Sequence, residues 1–227
     1  MAIVIVIVLL LAALLGPSIW VKRVMARYSE PEDLYAYDGA ATARRLLDAF
    51  GLANVAVEAT DKGDHYDPIA KAVRLSEDNF NNGSLTAVTV AAHEVGHAIQ
   101  DARAYPPLKW RTTLVQWVGP IERIGAGLLF AAPVLTAITR APGVGALTLL
   151  GGFLILTASV AVHAVTLPTE IDASFNRALP MLEQHQLLHD GDEPHARKLL
   201  RAAAMTYVAA SLMSLLNIAR WWAILRR

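Results

Sequence analysis

His93-Glu94-Val95-Gly96-His97 carries the chemistry this chain can do. On a helix, residues four apart share a face, so the imidazoles of His93 and His97 can grip one zinc ion (Zn2+). Glu94 then stands beside the metal, placed to take a proton from zinc-bound water. Neutral imidazole suits zinc, and a catalytic zinc takes three protein ligands and keeps a fourth position for water, whose pKa it lowers to roughly 7. That combination is the working part of a hydrolase. The competing reading is an amphipathic helix with two surface histidines, but the chain has only 7 His. Such a string then arises by chance in roughly one chain in a hundred.

A helix must position these residues, and the flanks supply one. Ser84 can cap it, Leu85, Ala87, Val88, Ala91, Ala92 and Val95 give it an apolar surface, and Gln100 and Asp101 mark its wet end. The expectation is a half-buried helix. Gly96 costs roughly 1 kcal/mol of helix propensity relative to Ala, which calls for a reason such as close approach of another backbone near the metal. The chain has no cysteine, so thiolate zinc sites are excluded and His and carboxylates must hold the ion. A net charge of zero gives no support to a nucleic-acid partner.

Composition sets the wider frame. With 55% hydrophobic and 18% charged residues and a mean hydropathy of +0.39, the sequence suits an integral membrane protein with the lipid bilayer as a partner. Residues 1–21 read as a retained transmembrane anchor, since Lys22-Arg23 follow the apolar run where a signal peptide would have its charges in front. That pair places the next segment on the cytoplasmic side of a bacterial plasma membrane. Residues 22–117 form a polar catalytic region. In it Asp38 caps a helix that Gly51 stops, and Val55 to Ala59 and Ala70 to Leu75 read as strands. Residues 118–165 read as a transmembrane hairpin broken at Thr139 to Gly143, 166–201 as a third-ligand helix region, and 202–227 as a C-terminal apolar helix. The predicted fold is mainly α, a small α+β zincin-like catalytic unit within a multi-span membrane protein of 3 or 4 transmembrane helices. An antiparallel edge strand just ahead of the zinc helix would let a peptide add itself by main-chain hydrogen bonds.

Two crossings return the chain to the side of His93, which brings Pro168-Thr169-Glu170-Ile171-Asp172 within reach. Glu170 or Asp172, at the head of a new helix begun by Pro168 and capped by Thr169, can supply the third ligand. The other carboxylate would then accept a hydrogen bond from a ligating imidazole, or the two acids simply complement the helix dipole. His65 and Tyr66, within Asp64-His65-Tyr66-Asp67-Pro68, offer a donor to the oxyanion formed at a peptide carbonyl; a turn held by Asp64 and Asp67 is the alternative. Arg177 is placed to pair with a carboxylate near the site. His163 reads as a hydrogen-bonded buried residue, Glu122 and Arg123 as snorkelling charges, and His185, His189 and His195 as solvated.

Asp64 to Pro68, Arg74-Leu75-Ser76, the run Ala92 to Gln100 and the run Leu167 to Ser174 together resemble the YugP-type neutral zinc metallopeptidases, predicted membrane-bound bacterial enzymes, over nearly the whole chain. The order of parts is also similar to the HtpX-type membrane peptidases. The resemblance implies His93, His97 and Glu170 as zinc ligands and Glu94 as base. In the HtpX-type pattern an Asp follows the ligand Glu by four residues; Ser174 stands there, which leaves Asp172 as a supporting partner or helix cap. The expected function is a membrane-bound, zinc-dependent endopeptidase acting on a peptide or protein substrate. Two other designs are weighed against it. An intramembrane zinc protease would carry its motif inside a hydrophobic span, whereas the apolar lead-in here is short and a polar stretch follows. A non-catalytic, chaperone-like membrane scaffold with a structural metal would need a fourth protein ligand. The sequence is silent on oligomeric state.

Overall fold

The Ser84 hydroxyl accepts the Ala87 N–H at 3.1 Å, satisfying one of the first-turn donors that have no partner inside a helix. From there the motif helix runs without interruption. The structure, a computed structural model, describes residues 2–206 and 209, and their side chains apart from 2–10, 13–14, 115, 118–119, 122 and 156–165. The elements in chain order are α1 (Ala2–Arg27), α2 (Gly39–Ala49), β1 (Ala56–Thr60), β2 (His65–Asp67), β3 (Ala72–Ser76), α3 (Glu77–Asn81), α4 (Leu85–Ala102), α5 (Pro106–Thr139) and α6 (Pro142–Ile171). A π-helical segment, Asp172–Ala178, and α7 (Leu179–Gln184) follow, and residues 193–206 are helical. Ser18–Lys109 and Leu167–Thr206 form one compact unit and the remainder of the chain a second.

In the first unit α4 is the central post. Every residue from Leu85 to Gln100 is buried, because α2, α3, α7, β2, β3 and the π-helical segment all pack on it. The half-buried helix expected from the sequence is thus fully enclosed. Val90, Ala98 and Ile99 carry the apolar surface round the back, and Thr86 meets its own hydrogen-bonding need by donating to the Met25 carbonyl at 2.9 Å. The α2 helix forms as predicted, with Asp38 Oδ1 accepting Ala41 N–H at 2.7 Å and Gly51 at φ 72° ending it.

The sheet has the order β1-β3-β2. β1 runs parallel to β3 from Ala56↔Ala72 to Thr60↔Ser76, and β2 runs antiparallel to it with Tyr66 opposite Val73. The strand just ahead of the motif helix is therefore the central one, with Val73 and Leu75 fully buried, and not the edge that the sequence suggests. The edges are β1 and β2. β2 escapes sequence reading because three residues, two of them polar, show no apolar alternation.

In the second unit α5 and α6 form a helical hairpin that turns at Arg140 and Ala141. Their contact is close: a Cβ on Gly152 would fall 2.7 Å from Leu129 Cδ2. Yet among the described residues no helix is long and apolar enough to cross a membrane, which overturns the expectation of three or four spans, the anchor at 1–21 and the hairpin at 118–165 included. Counting apolar letters passes over what interrupts them: Gly16-Pro17-Ser18 in α1, Lys109, Arg111, Glu122 and Arg123 in α5, and Gly151-Gly152 and His163 in α6. The orientation argument built on those spans falls with them. The predicted C-terminal apolar helix lies mostly outside the described residues, and so do the side chains of Glu122 and His163. The chain is mostly helical with one small sheet, and α6 passes through Pro168 without a break, so Glu170 ends a long helix where the sequence suggested the start of a new one.

Candidate metal centre

His93 and His97 lie one turn apart on α4 with their rings edge to face, centroids 4.8 Å apart. Opposite them the last turn of α6 delivers Glu170, whose Oε2 is 3.2 Å from His93 Nε2 and 3.4 Å from His97 Nε2. Exposure is 4% for His93, 2% for His97 and 1% for Glu170, and the three candidate ligand atoms lie within 4.8 Å of one another. Glu94, also buried at 6% exposure, sits about 60° round the helix from His97, on the side away from His93, by helical geometry.

The outer hydrogen bonds fix which nitrogen of each ring carries its proton. Ser174 Oγ donates to the Leu200 carbonyl at 3.1 Å, so its oxygen is left to accept from His93 Nδ1 at 3.1 Å. Gln100 Nε2 donates to Thr169 O and Asp172 Oδ2, each at 2.8 Å. Both of these are acceptors only, so the other end of the amide, Oε1, accepts from His97 Nδ1 at 2.9 Å. Both rings hold a proton on Nδ1 and turn Nε2 toward the Glu170 carboxylate. Three potential ligand atoms buried this close together are held best with positive charge among them, which a metal ion supplies. This donor set, two imidazoles and a carboxylate with no thiolate, fits zinc.

Asp172 takes a different place from the one its position suggests. Its Oδ2 accepts from Gln100 and from Arg177 Nε at 2.6 Å, and its Oδ1 from Asn176 Nδ2 at 3.1 Å. It reaches His97 only through Gln100 and touches neither ring. Burial pushes its carboxyl upward, but the bonds from Gln100, Arg177 and Asn176 and the Arg177 charge outweigh this and hold it below the usual carboxylate range. The predicted pairing of Arg177 with an acid beside the site is the one observed.

A family model described as "Putative neutral zinc metallopeptidase" matches residues 2–226. The chain belongs to that family. It is also 38% identical over 225 residues, 94% of each chain, to "Putative membrane protease YugP" of Bacillus subtilis (strain 168). No solved structure matches it. Membership in a neutral zinc metallopeptidase family and a buried His93, His97 and Glu170 cluster that could hold a metal ion agree on the class of cofactor.

The separation of the two histidines from Glu170 is tied to the contact that Gly96 makes with the π-helical segment. A Cβ at that position would meet the Ala173 carbonyl oxygen at 2.8 Å, so the α4 and π-helical backbones touch there, as the cost of a mid-helix glycine suggested. Gly96→Ala is expected to gain up to about 1 kcal/mol of helix propensity and lose about 1–3 kcal/mol to overpacking. Glu170, three residues before Ala173, should be displaced with it, and zinc affinity should fall roughly tenfold or more. Chelator competition checks this, and an affinity equal to wild type would mean that the segment yields freely.

The Asp64 to Pro68 segment builds structure. Tyr66 is buried on β2 and donates its hydroxyl to Asp101 Oδ2 at 2.6 Å; burial first, then that bond and the Asp101 charge, push its ionisation far above the ordinary tyrosine range. His65 Nδ1 bonds the Gly63 carbonyl at 2.8 Å. Asp64 takes Ser76 N at 2.7 Å and Asn79 Nδ2 at 2.8 Å, while Asp67 caps Ile69 and Ala70 and pairs with Arg74. The turn reading accounts for these bonds, and the hydroxyl offered as an oxyanion donor is already committed to Asp101. His189 and His195 are exposed as expected, each resting against a tyrosine, Tyr35 and Tyr28. Sequence reasoning missed Gln100 and Ser174. Their spacing was the available signal: Gln100 lies three residues past His97 and Ser174 four past Glu170, each on the face of a candidate ligand.

Proposed function

We propose that this chain is a zinc-dependent endopeptidase in which His93, His97 and Glu170 hold the metal and Glu94 is the general base. The observation that carries the reading is the convergence of two Nδ1-protonated imidazoles and one carboxylate in a buried site. A bound zinc would supply Lewis acidity and lower the pKa of water at its open position to roughly 7. Glu94 takes the proton from the attacking water and returns it to the leaving amine, so that a peptide bond breaks and one water is consumed. Ser174 and Gln100 bond Nδ1 of the two rings, which orients Nε2 toward the position of the ion. The oxyanion needs a further donor, and with the Tyr66 hydroxyl committed to Asp101, His65 is the remaining candidate in that segment. A structural metal closed by four protein ligands is less well supported, because among the described residues the cluster contains three. A membrane location is supported by the name of the Bacillus subtilis relative.

Measuring bound zinc and the hydrolysis of labelled casein for the wild type and Glu94→Gln tests the assignment. We expect about one zinc per chain in both proteins, with hydrolysis reduced roughly 100- to 10,000-fold in the variant. Unchanged hydrolysis would move the base elsewhere; a wild type without zinc would remove the reading.

A further inference from the structure

On the outer side of the 193–206 helix the structure forms a groove of about 330 Å³, lined by Trp20 from α1 and by Glu193, Pro194, Arg197, Lys198 and Arg201. These residues come from opposite ends of the chain, so no stretch of sequence displays the cluster. Pro194, Arg197, Lys198 and Arg201 follow helical spacing and share one face. Glu193 pairs with Arg197 at 2.6 Å, which leaves the positive surplus of the groove on Lys198 and Arg201, both exposed. Along α1, Trp20 is 36% and Ile19 44% exposed, and Arg23, one turn past Trp20, is exposed as well.

We propose that this groove takes the phosphate-bearing headgroup of an anionic phospholipid. Arg and Lys supply the charge and the hydrogen-bond donors that a phosphodiester accepts. The indole of Trp20 provides what a free phosphate has no use for, an amphipathic wall of the kind found where headgroup meets acyl chain, and Ile19 is exposed next to it in sequence on α1. A single aromatic ring is a poor match for nucleic acid, whose bases need a succession of stacking partners. The groove is separate from the metal centre and does not depend on the peptidase reading.

The test is calorimetric titration of the full-length, zinc-loaded chain with dihexanoyl phosphatidylglycerol below its micelle concentration. Dihexanoyl phosphatidylcholine, inorganic phosphate and a short single-stranded RNA serve as comparisons. We expect saturable binding of the glycerol lipid at least tenfold tighter than of the choline lipid or of phosphate. Lys198→Gln and Arg201→Gln should each weaken it about fivefold, the effect of one basic side chain near an anionic lipid surface, and the double variant about 25-fold. Lys198→Arg should restore affinity, while zinc content and circular dichroism stay as in the wild type. Equal affinity for the two lipids, indifference to the double variant, phosphate binding as tight as the lipid, or displacement of the lipid by RNA would each overturn the proposal.

Discussion

Glu170→Gln should lose zinc almost as completely as His93→Ala or His97→Ala, while Asp172→Asn should keep it. The Glu170 carboxylate stands within 3.4 Å of both Nε2 atoms, and a neutral amide there removes the anion of the three-residue cluster. Zinc bound by four ligands at about 10–16 kcal/mol corresponds to roughly 3 kcal/mol per ligand, so the expected loss exceeds about 100-fold in affinity. Asp172 acts one bond further out, through Gln100, and its amide variant should cost about 10- to 100-fold while allowing full occupancy at saturating zinc. Chelator competition on the three variants decides the matter. If Asp172→Asn lost the metal and Glu170→Gln retained it, the wrong carboxylate would have been named.

The second large effect is expected at Gln100, which sequence alone gives no chemical role. Its side chain is fully buried and uses both ends of the amide: Oε1 for His97 and Nε2 for Thr169 O and Asp172. Gln100→Leu strands these partners, at about 1–3 kcal/mol for each buried group left without a bond, and should weaken zinc binding about 10- to 100-fold. Gln100→Glu should be no better, because a carboxylate would face two acceptors where the amide donates. Combining Gln100→Glu with Asp172→Asn exchanges donor and acceptor across that contact and should recover part of the lost affinity. Thermal melts with and without zinc, alongside the affinities, test the scheme. Additive losses in the double variant would show that the two side chains do not act as a pair.

The legible parts of this protein are those written in short-range chemistry. Asp38, Ser84 and Gly51 mark helix ends because capping and left-handed φ depend on one residue and its immediate neighbours, and His93 and His97 meet because helical spacing alone brings them together. Gly96 announced a close contact but not its partner, since Ala173 arrives from another element. The third acid was narrowed to two candidates, and the geometry, with Glu170 beside both rings and Asp172 behind Gln100, arises from the passage of α6 through Pro168 into a π-helical turn. Hydrogen bonding in that turn departs from the α pattern, and residue spacing does not reveal the change. The half-buried reading of α4 failed because helical periodicity cannot count how many elements will surround a helix. Reading spans from apolar runs failed where glycine, proline and charge interrupt them. For Tyr66 the sequence left an oxyanion donor and a structural turn both open, and it could not show that Asp101, 35 residues along the chain, takes the hydroxyl.

The bond from Ser174 to the Leu200 carbonyl also sets a schedule for the protein's own synthesis. On the proposed reading, a ribosome that has released α4 has released only two imidazoles and a base. The anion that completes the metal's grip comes with the end of α6, and the carbonyl that fixes the orientation of Ser174, and through it His93, comes later still, with the helix of residues 193–206. An unfinished chain therefore carries the motif but not the complete cluster, whose last support arrives with the helix of residues 193–206.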